Sequence, residues 1–393
     1  MKVTCLIDSL SSGGAQRQLC TLAVLLKKQG MDVTMLTYHP FDFFLPVIRE
    51  AGVKYRCVEG RSVPQRILAI RRALRREEQD VVLAFLDAPC FYAELAAIPG
   101  RKWGLVVSER SSEPGIRGGW RRWMRLAHLM ADSVITNSHT NRLMIERSIP
   151  SLKDRIITVY NVVDLKTFSP LPARPPAENP GIRLMAAANF LGLKNHLGFV
   201  EAIAIVSRRE PALEIHLDWY GGLPNRKNGT PDDDLYNAIK VLIEKHGLQS
   251  RVRLHPPSPD IINLYRSCDA VVLPSFYEGL SNVVCEAMAC GRPVLASYVS
   301  DTGNLVKDGY NGFVFDPTSP EDMAKTVIRL ARLTGPEREL FGQRGRQMAE
   351  RMFNPETIAS RYVEILTAAA ERKHVAIEHW IPEVPDSAYR SLN

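Results

Sequence analysis

No C-x-x-C pair occurs in this 393-residue sequence, and its seven cysteines (Cys5, Cys20, Cys57, Cys90, Cys268, Cys285 and Cys290) sit mostly in apolar runs. An odd number with that spacing argues against a disulfide framework or a zinc knuckle and for buried thiols in a reducing compartment. No apolar run reaches the roughly 18 residues that a membrane-spanning helix needs. The start, M-K-V-T-C-L-I-D, enters a strand directly and lacks the apolar core of a signal peptide, so a cytoplasmic protein is expected. Internal repeats, low-complexity tracts and nucleic-acid-binding motifs are also missing. So is the spaced G-x-G-x-x-G fingerprint, which leaves nothing to favour a nicotinamide cofactor.

What is present is the composition of an ordinary globular chain, 45% hydrophobic and 24% charged. Its length exceeds what one core usually serves, so two domains are expected. The formal net charge of +7 is unevenly placed. Residues 1–168 carry 25 Lys and Arg against 16 Asp and Glu, a balance of +9, and the remainder carries 25 against 27, a balance of −2. An anionic partner should therefore face the first half.

The first half alternates apolar runs with helical patterns. Strands are expected at Val3–Ile7, Val33–Leu36, Val53–Val58, Val81–Phe85, Gly104–Val107 and Val134–Thr136, with helices near 15–28, 65–76, 90–97, 120–130 and 140–147. Alternation of this kind implies a parallel sheet covered on both faces. A proline-dense stretch, S-P-L-P-A-R-P-P-A-E-N-P-G, then marks a stiff connection. The pattern restarts at Ile182–Ala187. The expected division is a first domain at 1–168, a linker at 169–181, a second domain at 182–354, a helix at 355–373 returning to the first domain, and a tail at 374–393.

The most informative stretch runs from Asp269 to Ser297. Val271–Leu273 reads as a buried strand ended by Pro274, and Pro293–Ala296 as the next parallel strand. Between them lies a loop and a helix of two to three turns closed by Gly291. Ser281 or Asn282 is the natural N-cap, which places Glu286 about one turn into the helix and Glu278 in the loop above. The free N–H groups of residues 280–284 form an anion seat with a carboxylate on either side, at the sheet edge where doubly wound folds bind ligands. Such carboxylates can accept hydrogen bonds from sugar hydroxyls while the helix end takes phosphates.

The segment E-G-L-S-N-V-V-C-E resembles the Glu-x7-Glu signature of family-4 glycosyltransferases, and the flanking Y-R-S-C-D-A-V-V-L-P-S and A-M-A-C-G-R-P-V-L-A-S are similar to the same family. Further resemblances are S-S-G-G-A-Q-R near the start, Y-N-V-V-D-L-K-T-F (with Val162 where glycine is usual), A-N-F-L-G-L-K-N-H, and D-T-G-N-L-V-K-D-G-Y-N-G-F-V-F-D-P. The resemblance implies an α/β GT-B fold, two doubly wound Rossmann-like domains facing a cleft. It implies transfer of a sugar, with retention, from a nucleotide-diphosphate donor (UDP by family habit) to an acceptor hydroxyl on a glycan or lipid-linked precursor. No metal or other cofactor is expected. A sugar-nucleotide epimerase or phosphorylase of the same fold, or a non-catalytic basic binding module, are the alternatives.

By the same resemblance, Glu286 holds the ribose and Glu278 contacts the donor sugar. Lys194 with Gly279, Leu280, Ser281 and Asn282 holds the diphosphate, near Gly13 and Gly14. Asn189 stands where arginine is usual. The diphosphate itself takes the acceptor's proton, so no nucleophile is assigned. Many relatives place a histidine in the loop after the strand at 104–107; here the residues are Ser108, Glu109 and Arg110, and Glu109 is the substitute. Finally Arg117, Trp120, Arg121, Arg122, Trp123 and Arg125 make a basic, tryptophan-bearing helix of the kind that lies on anionic membranes or faces an acceptor. Docking at the inner face of the cytoplasmic membrane would be coherent with it. Arg66, Arg71, Arg72, Arg75 and Arg76 form a second basic helix, read as an exposed face.

Overall fold

The computed structural model describes residues 1–110, 120–171, 181–224, 232–373 and 375, with the side chains of residues 120–122 left out. Over the described residues the chain divides into two compact units, Met1–Val162 with the segment that begins at Phe353 and holds the last helix, and Val163–Met352.

The first unit holds a seven-stranded, all-parallel sheet. Its strands are β1 (Lys2–Leu6), β2 (Asp32–Thr37), β3 (Lys54–Cys57), β4 (Val81–Phe85), β5 (Gly104–Glu109), β6 (Ser133–Thr136) and β7 (Ile156–Thr158), in the order β3-β2-β1-β4-β5-β6-β7. Every residue of β4 and β5 is buried, which their near-continuous apolar sequences already require. Helices cover both faces. Leu19, Leu22, Ala23 and Leu26 of the helix Gly14–Lys28 enter one core, and Ile70, Ala73 and Leu74 of the helix Val63–Arg76 enter the other. The helix Pro355–Ala370 belongs to this unit, burying Ile358, Tyr362, Ile365 and Leu366 in the first of those cores.

The second unit repeats the plan with β8 (Ile182–Ala187), β9 (Ile215–Tyr220), β10 (Val252–His255), β11 (Ala270–Leu273), β12 (Val294–Ser297) and β13 (Gly312–Phe315), ordered β10-β9-β8-β11-β12-β13 and again parallel throughout. Between β11 and β12 lies the helix Asn282–Ala289. Gly291 stops it by taking φ 65°, a left-handed conformation that costs glycine little.

The boundary between units falls at Val162, earlier than the expected 168. Residues 165–169 are fastened to the second unit by two arginines. Arg346 donates to the carbonyls of Phe168 (2.7 Å) and Leu165 (3.1 Å), and Arg266 to those of Ser169 (2.9 Å) and Thr167 (3.2 Å). Most of the proline-rich linker and nearly all of the tail lie outside the described residues.

Candidate nucleotide-sugar site

Both sheets have a point where consecutive connections leave in opposite directions, β1 against β4 in the first unit and β8 against β11 in the second. Loops beyond the carboxyl ends of such neighbours part and leave a crevice for ligand. In the second unit the two loops carry the residues singled out above. Lys194, in the loop after β8, donates from Nζ to Glu278 Oε1 in the loop after β11, at 2.6 Å. Ser275 Oγ donates to the same oxygen at 2.6 Å, the Phe276 N–H donates to Leu193 O at 2.9 Å, and the Ser300 hydroxyl donates to the Glu278 carbonyl. Next to Lys194, Asn195 takes φ 56° and donates from Nδ2 to Pro317 O at 2.8 Å, which fixes where the loop turns. The lysine and glutamate side chains keep 20% and 12% of their surface open, so an incoming ligand can reach both.

Behind the pair starts the helix Asn282–Ala289. Of the two N-cap candidates the structure uses Ser281, whose hydroxyl accepts from the Val284 N–H at 3.5 Å. The first-turn N–H groups of a helix have no partner within it, and no acidic residue in this first turn offsets their positive end. Glu286 is the fifth helical residue. It is buried, and its Oε2 accepts from the hydroxyl of the fully buried Tyr265 at 3.0 Å. Thus Lys194, Glu278, Gly279, Leu280, Ser281, Asn282 and Glu286 all belong to one edge of one unit. Asn189 is there too, but in a shaping role, since its Oδ1 accepts from the Gly222 N–H at 3.0 Å. Sequence reasoning missed Ser275, Ser300 and Tyr265. Tyr265 and Ser275 had a signal, as the first and last residues of the Y-R-S-C-D-A-V-V-L-P-S run, and Ser300 had none. Alongside, His196 is stacked on Phe190 and tilted against Trp219, and burial pushes its pKa down to about 4, so it is a neutral packing ring.

Gly13 and Gly14 stand in the first unit at its own switch point. Gly13 caps the helix Gly14–Lys28 in an extended conformation, and Asp8 Oδ1 steadies the turn by accepting from the Ser9 N–H (2.7 Å) and Gln16 Nε2 (2.9 Å).

Two expectations for the first unit need correction. Glu109 does not project as a free carboxylate. It is 4% exposed and clamped by Arg125, whose Nε donates to Oε1 at 3.0 Å and whose Nη2 also reaches it. Nε2 of His128 lies 3.4 Å from Oε2, and His128 Nδ1 lies 2.6 Å from Glu94, also buried. Although burial works against ionisation, His128 and then Arg125 hold the Glu109 carboxyl below its usual range. Arg125, expected on an outward basic face, therefore turns inward with 7% exposure, because a buried carboxylate recruits it. Trp123 does face outward, with 68% of its surface open. Arg117 lies outside the described residues, as do the side chains of Trp120, Arg121 and Arg122.

Among the described residues no group of three or more His, Cys, Asp or Glu is placed to hold a metal, and no helix is long and apolar enough to cross a membrane.

Comparison with known proteins adds to this geometry. A family model described as Glycosyltransferase Family 4 matches residues 12–167, and one described as Glycosyl transferases group 1 matches 182–332. A D-inositol 3-phosphate glycosyltransferase of Paenarthrobacter aurescens is 32% identical over 48% of this chain and 48% of its own length. The match spans about half the length of such curated relatives. An α-1,4-N-acetyl-D-galactosaminyltransferase of Campylobacter jejuni, named for an undecaprenol-linked acceptor, is 26% identical over 80% of this chain and 84% of its own. Among solved structures, a glycosyltransferase from Rickettsia africae aligns with TM-score 0.79 at 16% identity, covering 94% of this chain and 98% of that one. HepE from Anabaena, in complex with UDP and glucose, aligns with TM-score 0.77 at 18% identity, covering 94% and 100%.

Proposed function

The chain belongs to the glycosyltransferases, with a family 4 domain followed by a group 1 domain in a GT-B fold, and from that premise we propose that it moves a sugar from a nucleoside-diphosphate donor to an acceptor hydroxyl with retention. The observation that carries the reading is the Lys194–Glu278 pair at the switch point, in front of the capped helix at Asn282. A diphosphate is the ligand such a place recognises, since a helix N-terminus and a lysine both favour anions.

When donor binds, Lys194 exchanges one oxygen of Glu278 for phosphate oxygens, and the released carboxylate accepts from hydroxyls of the donor sugar. Glu286, buried and oriented by Tyr265, accepts from the ribose hydroxyls. As the glycosidic bond breaks, negative charge grows on the leaving diphosphate. The helix N–H groups and the Lys194 ammonium are already oriented toward it, so little reorganisation is needed. The departing phosphate takes the acceptor's proton, and no side-chain nucleophile or metal is called for.

UDP is the proposed nucleotide, supported by its presence in a neighbour of the same fold. A lipid-linked or surface-glycan precursor is the proposed acceptor, supported by the name of the Campylobacter relative and by the +9 balance of residues 1–168. Work at a membrane surface fits that acceptor. The test is donor kinetics of Lys194→Ala and Glu286→Ala. Each should raise donor KM or abolish transfer without unfolding the protein, and unchanged turnover in either variant would contradict the assignment.

A further inference from the structure

The edge of the first sheet opposite Gly13 has a feature that sugar transfer does not use. At the amino ends of β1, β2 and β3 a recess of about 390 Å³ opens, lined in part by Lys2, Thr4, Thr34, Arg56 and Gln79. Its position follows from register. Lys2 pairs with Asp32, Thr4 with Thr34, and Thr34 with Lys54, so these side chains share one face of the sheet. Farther along the same face, Leu6 and Leu36 are buried with Ile70 and Leu74 of the helix Val63–Arg76. Toward the amino edge the face turns polar.

Two residues there stand out, Thr4 by its burial and Gln79 by an unpaired atom. β1 is the third of seven strands, where an unbroken apolar sequence is the rule, yet Thr4 is 2% exposed. Gln79 is 6% exposed; its Nε2 donates to Leu74 O at 2.6 Å, while its Oε1 has no hydrogen-bond partner. A buried amide oxygen left unpaired is uncommon in native proteins and marks a place that a ligand's donor can fill. Around it, Arg56 is held by Glu77 at 2.8 Å and Lys54 by Asp32 at 2.7 Å, while Lys2 makes no ion pair among the described residues. The rim thus has three cations to two carboxylates, with hydroxyl and amide groups in the floor.

We propose that this recess is a second small-molecule site, which takes a hydroxylated anion about the size of a monosaccharide phosphate. Lys2 and Arg56 meet the anionic group, Gln79 Oε1 accepts from a ligand hydroxyl, and Thr4 and Thr34 complete the floor. The volume lies within the range of roughly 300–1,000 Å³ usual for ligand pockets. The recess is at the edge of its sheet opposite Gly13 and Gly14 and does not depend on the transfer reading.

The test is calorimetric titration of the full chain with glucose 6-phosphate as probe, beside neutral glucose and inorganic phosphate. Glucose 6-phosphate should bind, and Lys2→Ala should weaken it by about tenfold or more, the loss of one charge-assisted hydrogen bond. Thr34→Val, which keeps the side-chain shape, should weaken it too, whereas Lys194→Ala in the second unit should leave it unchanged. Absence of binding at millimolar probe would mean that the recess holds only water and would overturn the proposal. So would equal affinity in Lys2→Ala and Thr34→Val, abolition by Lys194→Ala, or binding of glucose or phosphate alone as tight as that of the probe.

Discussion

Replacing His128 with glutamine separates a structural role for Glu109 from a catalytic one. Four charged side chains, Glu94, Glu109, Arg125 and His128, meet where none keeps more than 8% of its surface exposed. Burial pushes the Glu94 carboxyl above its usual range while His128 works to lower it, and Arg125 serves Glu109, so the protonated imidazole is the cation that meets Glu94. Burial alone would strip that proton; Glu94 and then Glu109 hold it on and raise the pKa to about 10. The folded-state value lies above the unfolded one of about 6.5, so the stabilisation is complete below pH ~6.5 and is lost as pH climbs through ~10. At about 1.4 kcal/mol per unit the shift would supply at most about 5 kcal/mol, and removing one partner of a buried pair costs about 3–5 kcal/mol. Urea denaturation at neutral pH should therefore show His128→Gln destabilised by about 3–5 kcal/mol, with the gap to the wild type narrowing toward pH 10. The double variant Glu94→Gln/His128→Gln, which removes a charge of each sign, should recover much of the loss. If Glu109 belongs to this cluster, Glu109→Gln loses stability in the same way, and any fall in activity follows the folded fraction. A His128→Gln protein as stable as the wild type at neutral pH, or a gap that stays constant to pH 10, would refute the reasoning.

Further outcomes follow from the same geometry. Gly221→Ala should destabilise the second unit by about 1–3 kcal/mol, since an added Cβ would run into the Ala188 carbonyl, which cannot move aside as a side chain could; an unchanged urea midpoint would show that the loop gives way. Trp123→Ala should reduce flotation with anionic vesicles without changing the melt, because the indole is open to solvent, and Arg125→Ala should lower the melting temperature instead. Vesicle binding that Trp123→Ala leaves untouched would remove this helix from any membrane face.

How much was legible from sequence varied with the range of the interactions involved. Strands such as β4 and β8 have the bounds their apolar runs announce, and the helix at Asn282 starts where the serine and asparagine suggest a cap. These are local effects, carried by neighbours within a few residues. The segment 163–169 reads locally as the end of a first domain, yet its carbonyls are held by Arg266 and Arg346, about 100 and 180 positions away. No local pattern contains that information. A short strand such as β7 also escaped notice, since three residues carry too little periodicity to separate them from a loop.

The same distinction explains why the residues at the second unit's switch point could be grouped from sequence more easily than those at the first unit's β5 edge. In the second unit, chemistry-bearing residues cluster in two loops, each with its own cap or turn signal, and topology brings those loops together. In the first unit, the last residue of β5 had to be judged with its partners out of sight. Glu109 reads as the substitute because a carboxylate stands where relatives carry histidine, and Arg125 as part of a membrane or acceptor face because its helix is rich in arginine. Each is explained by the other: 16 positions apart, they form one buried pair, and His128 joins it from one turn further on. A buried charge is therefore read reliably only with its counter-charge. Lys194 is a single cation in its sequence motif and half of a pair with Glu278 in the structure, so any anion that takes the lysine has that carboxylate to displace.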